Sequence, residues 1–222
     1  MPNHEKFVSI IKCMWEQKSN ELEQLAITAK GVRYDPEWFW TVLVTSFCTL
    51  GGSENHEIKR KKYGNALRWS SIEKLPDNER STLFNDLPNP RRRHIAVPAL
   101  ESAFQCISEA GGPKVVASHY EALQTGKARM KYLRTFKGIG AKYSRNIPMD
   151  IYDEFVLDGA ALDSRLNELL DMIDGVPTKS QYERRENYLR SVCAEAMLPN
   201  MWYLDRMLYN FNDEIRNNLT VR

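Results

Sequence analysis

The run Phe136-Lys137-Gly138-Ile139-Gly140-Ala141-Lys142 sets two glycines one residue apart between lysines, and Asp163 follows twenty-one residues after Lys142 in Ala161-Leu162-Asp163-Ser164-Arg165-Leu166. Glycine tolerates φ > 0 and close backbone approach, so a turn here can expose successive N–H groups at the start of a following helix, where an anion fits. Ile139 can anchor the turn in a core while Lys137 and Lys142 flank the donors. Just past the bend stands an amine nucleophile, and one helix away a carboxylate. That combination suggests chemistry on DNA. A Gly-x-Gly pair by itself often only ends a helix. Lys142 also reads as a phosphate-contacting or exposed lysine, and Asp163 as the N-cap of a helix beginning at Ser164.

Charge favours the phosphate reading. The net charge is only +2, yet Lys127 to Arg145 carries seven basic residues and no acid, while Asp150 to Asp174 carries eight acids against Arg165 alone. Further basic clusters stand at Lys59-Arg60-Lys61-Lys62 and Arg91-Arg92-Arg93-His94. Each alone suits a solvated face, but three clusters with a phosphate-compatible hairpin among them point to a nucleic-acid backbone. A nucleotide-binding glycine loop would need a preceding strand and a parallel sheet, and the helical periodicity offers neither.

Other chemistries are disfavoured. Cys13, Cys48, Cys106 and Cys193 are widely separated and lie in helical apolar contexts, which predicts buried thiols rather than zinc or iron–sulfur ligands. The four histidines form no cluster, so no metal and no cofactor is expected. No apolar run approaches the roughly 18 residues that span a bilayer, and the first residues lead into no signal-type core. The composition, 42% apolar and 27% charged, suits an ordinary globular chain, expected to be intracellular.

The elements around these residues read as helices. Phe7, Ile10, Ile11, Met14 and Trp15 make one apolar stripe. After Asp35-Pro36, the segment Trp38 to Leu50 is apolar almost all round and predicts a central buried helix ending at Gly51-Gly52. Shorter helices are expected over 60–69 and 78–85, then one carrying Val97, Leu100, Phe104 and Ile107, and one over 115–123. The hairpin arms are expected over Ala128 to Thr135 and Gly140 to Ile147, the second stopped by Pro148. Leu162 to Ile173, Tyr188 to Met197 and Trp202 to Phe211 give the last helices, and only Phe155-Val156-Leu157 hints at extended structure. We expect about ten helices in one unit over 1–222, with lobe crossings near 87–90 and 124–126.

On these residues the chain resembles the helix-hairpin-helix DNA glycosylases, the superfamily of endonuclease III and 8-oxoguanine glycosylase. Phe136 to Lys142 matches the family hairpin in its two glycines, the aliphatic between them and the lysine two residues on. Lys137 stands where the family usually has proline, Ser144 where it has alanine, and Arg165 where histidine is common. The resemblance implies an all-α fold of two helical lobes with a DNA-binding cleft between them. It implies Lys142 as Schiff-base nucleophile, its amine kept neutral by desolvation and by cations such as Arg145. It also implies Asp163 as the essential carboxylate, with Asp158 as an alternative.

Lys137, Gly138, Gly140 and Arg145 would hold phosphates, as would Arg91, Arg92 and Arg93. Phe39 to Glu54 resembles the family's core helix and minor-groove loop, which would put Ser53 and Asn55 near DNA. Leu204-Asp205 with Tyr209 is similar to a carboxy-terminal pattern of some archaeal 8-oxoguanine lyases, so Asp205 and Tyr209, with Trp69 and Trp202, are expected around an expelled base. The function so implied is a monomeric base-excision glycosylase with abasic-site lyase activity on double-stranded DNA, removing an oxidised purine such as 8-oxoguanine. A non-catalytic helix-hairpin-helix DNA-binding module is the alternative, since it would keep the glycines and the basic face without needing Asp163.

Overall fold

Helical periodicity governs the chain throughout. The computed structural model describes residues 2–52 and 54–220, which form α-helices and 3₁₀ turns with no strand among the described residues. In order the helices are α1 (Pro2–Gly31), α2 (Trp38–Cys48), α3 (Glu54–Tyr63), α4 (Trp69–Ile72), α5 (Asp77–Asp86), α6 (Arg93–Glu109), α7 (Pro113–Glu121), α8 (Gly126–Leu133), α9 (Tyr143–Asp150), α10 (Ser164–Leu170), α11 (Tyr182–Glu195), α12 (Met201–Asn210) and α13 (Asn212–Thr220). The chain divides into two compact units. One gathers both ends, Met1–Lys30 with Ile151–Arg222, and the other spans Gly31–Asp150. The segments 87–90 and 124–126, expected as crossings, both lie inside this middle unit.

In the middle unit α2 is the buried helix its sequence announced, with Phe39, Trp40 and Leu43 fully enclosed. Trp40 satisfies its indole by donating from Nε1 to the Leu67 carbonyl at 2.9 Å. Its ring meets those of Trp69, Phe84 and Phe104 at centroid distances of 5.4, 6.1 and 6.3 Å. Trp69, expected against an expelled base, is therefore a core residue, and its Nε1–H is taken by Glu73 at 2.9 Å.

Pro148 does not stop α9 but sits inside it. In a helix interior proline forfeits one hydrogen bond, here to the Ser144 carbonyl, and that falls near the end of a short element with a buried face. Phe155 to Leu157 forms turns rather than a strand. Cys48 and Cys193 are buried, and burial pushes their thiols up to about 12 and about 11. Cys13 and Cys106, expected to be buried, are exposed free thiols, because each lies on the solvent face of its helix.

In the end unit the apolar face of α1 (Phe7, Ile11, Met14, Leu22, Ala26) and those of α11 and α12 (Leu189, Val192, Trp202, Leu204, Leu208) supply the core. Trp202, also expected at the base, is enclosed between Tyr152 and Tyr203 at 5.0 and 5.2 Å. The Tyr203 hydroxyl donates to Glu23 of α1 at 2.9 Å. A charged residue completes this unit: Arg185 is 1% exposed and donates to the Pro177 carbonyl at 2.7 Å, to the Asn167 carbonyl at 3.1 Å and side chain at 2.7 Å, and to Asp171. One guanidinium thus ties α10, the loop after it and α11. Changing Arg185 to Met leaves the Pro177 carbonyl and the Asn167 side-chain oxygen without their donor, and we expect stability to fall by about 2–4 kcal/mol. The check is a lower urea midpoint at unchanged slope.

Candidate active site

The hairpin is built from its own packing upward. Thr125 caps α8 by accepting from the Ala128 N–H at 3.1 Å, and α8 runs into a turn closed by Ile139 N–H donating to the Phe136 carbonyl at 3.1 Å. Phe136 and Ile139 are both buried, Phe136 against Phe39 of α2 at 5.5 Å. Gly138 lies between them at φ +87°. A Cβ there would stand 3.0 Å from Ala99 Cβ of α6 and 3.3 Å from the Phe47 ring of α2, so both conformation and space disfavour any other residue. Gly140 differs from expectation: its φ is outside the left-handed region and nothing lies within 4 Å of where a Cβ would be. The protein's own packing therefore leaves the space over Gly140 open.

Among the described residues of this unit, the backbone N–H groups of Gly138, Gly140, Ala141 and Lys142 find no acceptor. They lie just before α9, where the helix end favours negative charge. Lys137 is exposed beside them. Lys142 is half-buried, with Nζ 4.8 Å from the centroid of the Tyr143 ring and no carboxylate partner among the described residues of the unit. Ser144, where the family has alanine, is fully buried; its hydroxyl accepts from Arg134 Nε at 3.0 Å and donates to the Ala141 carbonyl at 3.1 Å. Arg145, expected on the phosphate side, is buried and donates to the same carbonyl at 3.3 Å. Its guanidinium supports the hairpin from within.

The other expected DNA contacts fall on elements the hairpin touches. Arg91, Arg92 and Arg93 are exposed, the first two on a 3₁₀ turn capped by Asn89, whose Oδ1 accepts from the Arg91 N–H at 3.0 Å, and the third at the start of α6. Asn89 also donates to the Gly51 carbonyl at 3.4 Å, and Arg92 Cγ lies 3.0 Å from where a Gly51 Cβ would stand. The Gly51-Gly52 loop and the arginine turn are thus one surface. Sequence reading missed Asn89, whose placement before proline is the signal for such a cap. Ser53 lies outside the described residues. Asn55 acts as a brace, donating to the Leu87 carbonyl at 3.2 Å. In the remaining basic cluster Lys59 and Lys62 are spent on Asp86, at 2.6 and 3.2 Å, and with Tyr63 they hold its carboxyl well below the usual range.

Lys142 belongs to the middle unit and Asp163 to the end unit. Asp163 is the N-cap of α10, its Oδ1 accepting from the Leu166 N–H at 2.8 Å, while Oδ2 takes no hydrogen bond among the described residues of the unit. The residues leading to it are held unusually. The N–H of Ala160 donates to Glu186 Oε1 at 3.0 Å, that of Ala161 to Asp205 Oδ1 at 2.8 Å and that of Leu162 to the Tyr182 hydroxyl at 3.1 Å, which donates in turn to the Ala160 carbonyl at 2.6 Å. Asp205, expected at the base, is therefore buried on this loop, and its other oxygen lies 3.3 Å from Arg206. Tyr209 is exposed, with the Arg165 guanidinium 6.0 Å from its ring centroid. Asp158, the alternative carboxylate, is exposed, 4.0 Å from Arg190.

Two substitution pairs separate packing from chemistry. Gly138→Ala should cost about 1–3 kcal/mol in denaturant titrations, whereas Gly140→Ala should stay within about 1 kcal/mol of the parent. Asp163→Ala loses a cap worth about 1 kcal/mol, and Asp163→Asn keeps it, because asparagine caps as well as aspartate.

No protein-family model matches the chain, and no curated protein matches it in sequence. Solved structures do. The 8-oxoguanine DNA glycosylase of Methanocaldococcus jannaschii superposes with a TM-score of 0.72 at 18% identity, over 95% of this chain and 95% of that one. The 8-oxoguanine DNA glycosylase of Thermotoga maritima gives 0.68 at 19% identity, over 93% of this chain and 95% of that one. The chain therefore has the all-helical fold that these two glycosylases share, as the resemblance at Phe136 to Lys142 and Asp163 implied.

Proposed function

We propose that this protein is a DNA glycosylase that excises a damaged base from double-stranded DNA, an oxidised purine such as 8-oxoguanine, and cleaves the resulting abasic site through a Schiff base on Lys142. A fold hosts many chemistries, so the reading rests on the site. The observation that carries it is the hairpin's exit: four unclaimed N–H groups and an uncovered Gly140, flanked by Lys137 and Lys142. Backbone donors with nothing to bond and a glycine with no internal reason to be glycine suit a phosphate lying against them. The exposed arginines of the Pro90–Arg92 turn and α6 would hold the backbone further along, adding affinity without reading sequence.

The chemistry follows from residue types. The target base leaves the stack, at a cost of a few kcal/mol that a lesion reduces. The ionised Asp163 stabilises positive charge at the anomeric carbon as the bond to the base breaks, as carboxylates do in glycoside cleavage. Its Oδ2, not used by the cap, is the oxygen available for this. The Lys142 amine, having given up its proton, forms a bond to that carbon. Opening of the sugar ring gives the imine, and loss of a proton from C2′ expels the 3′ phosphate. Tyr209, exposed and near Arg165, is the aromatic left to stack on the base.

The second reading, a non-catalytic DNA-binding module, draws on the fact that capping alone accounts for Asp163. Borohydride trapping on abasic-site DNA decides between them. We expect a covalent adduct that Lys142→Gln abolishes, and excision across a lesion panel that Asp163→Asn lowers at least 100-fold with the cap intact. Tight duplex binding with neither adduct nor excision would establish the module. DNA affinity supplies an independent check. Gly140→Ala should weaken binding despite its neutral stability, and replacing Arg91, Arg92 and Arg93 with Ala should flatten the salt dependence by about one slope unit for each phosphate no longer neutralised.

A further inference from the structure

We infer that Tyr182, seconded by Glu186, is a positioning residue for Asp163, acting through the peptide groups of Ala160 to Leu162; the inference rests on the proposed glycosylase reading. Three successive N–H groups and one carbonyl just before the carboxylate end on side chains of α11 and α12 rather than on other backbone. Residues 160–163 belong to no helix, so no ladder of hydrogen bonds would fix them otherwise. Tyr182 and Glu186 stand one turn apart on α11. The hydroxyl of Tyr182 spans two peptide groups at once, donating to one and accepting from the other, and so sets the direction in which the chain enters the Asp163 cap. Glu186 is buried, and besides the Ala160 N–H it has Arg190 at 3.6 Å. If one oxygen of Asp163 is committed to the Leu166 N–H, the aim of the other is determined by the path of this loop. A misplacement of about 1 Å at a reacting group costs on the order of 100-fold in rate.

Tyr182→Phe removes one oxygen and keeps the ring. On a full-length chain and an 8-oxoguanine duplex, we expect single-turnover excision to fall about 10- to 100-fold with duplex Kd unchanged within about twofold. In an Asp163→Asn background the same change should leave the residual rate unaltered, because its effect passes through the carboxylate; a purely structural role would lower both backgrounds equally. Glu186→Gln, which keeps an acceptor for Ala160, should retain most of the rate that Glu186→Leu loses, and this pair serves if Tyr182→Phe folds poorly. Equal losses in both backgrounds, or full activity of Tyr182→Phe beside an active parent, overturn this inference alone. A parent inactive on every lesion overturns the glycosylase reading and this inference with it.

Discussion

Gly138 packs closely onto Ala99 of α6 and Phe47 of α2, where an added methyl would stand only 3.0 and 3.3 Å from them. Much of the middle unit's arrangement follows from that close approach. The same two helices carry the other exposed segments of the candidate DNA face: α2 ends shortly before the Gly51-Gly52 loop, and α6 begins at Arg93, directly after the arginine turn that Asn89 ties to Gly51. Fixing the hairpin on α2 and α6 therefore fixes its donors relative to the arginines. Phe136 and Ile139, buried on either side of the glycine, give the bend its hydrophobic support, and Ser144 and Arg145 supply hydrogen bonds beneath it.

The end unit solves a different problem. The proposed role of Asp163 requires its carboxylate to be aimed, and residues 160–163 have no secondary structure of their own. Side chains from two helices take the place of a ladder. Networks of this kind are demanding, since each buried group left unsatisfied is costly, but when complete they specify one arrangement. Asp205 and Glu186 are buried acids whose oxygens meet backbone donors and neighbouring arginines, which offsets their desolvation. The cap and the proposed catalytic role need not compete for Asp163, because a carboxylate has two oxygens and the cap uses one.

Most helices were legible, because apolar residues recur at the helical period over long stretches, but the short α4 and the polar α13 were not among those expected. Helix ends were less legible. Pro148 punctuates most sequences, yet α9 continues through it where its buried face is worth more than one hydrogen bond. The aromatic residues misled for a related reason. Trp69 and Trp202 have the chemistry to stack on a base, and in the protein they stack on other aromatics, since residue type does not say which side of a helix meets the core. Arg145 misled likewise: its charge suggested a phosphate, and its position in the first turn of α9 directed it inward.

The chain's own order determined the local features: a glycine bend with lysines beside it, an aspartate placed to cap the following helix, a basic run followed by an acidic one, and helices throughout. These depend on a few neighbouring residues and on backbone preferences. Tertiary structure decided which glycine is forced and which stays uncovered, which tryptophans are enclosed, and what holds the approach to Asp163. Those outcomes hang on partners far away in sequence, such as Ala99 for Gly138, Tyr182 for Leu162 and Asp205 for Ala161. Pattern and propensity act over one or two turns of helix, whereas packing and burial are set only when distant segments meet.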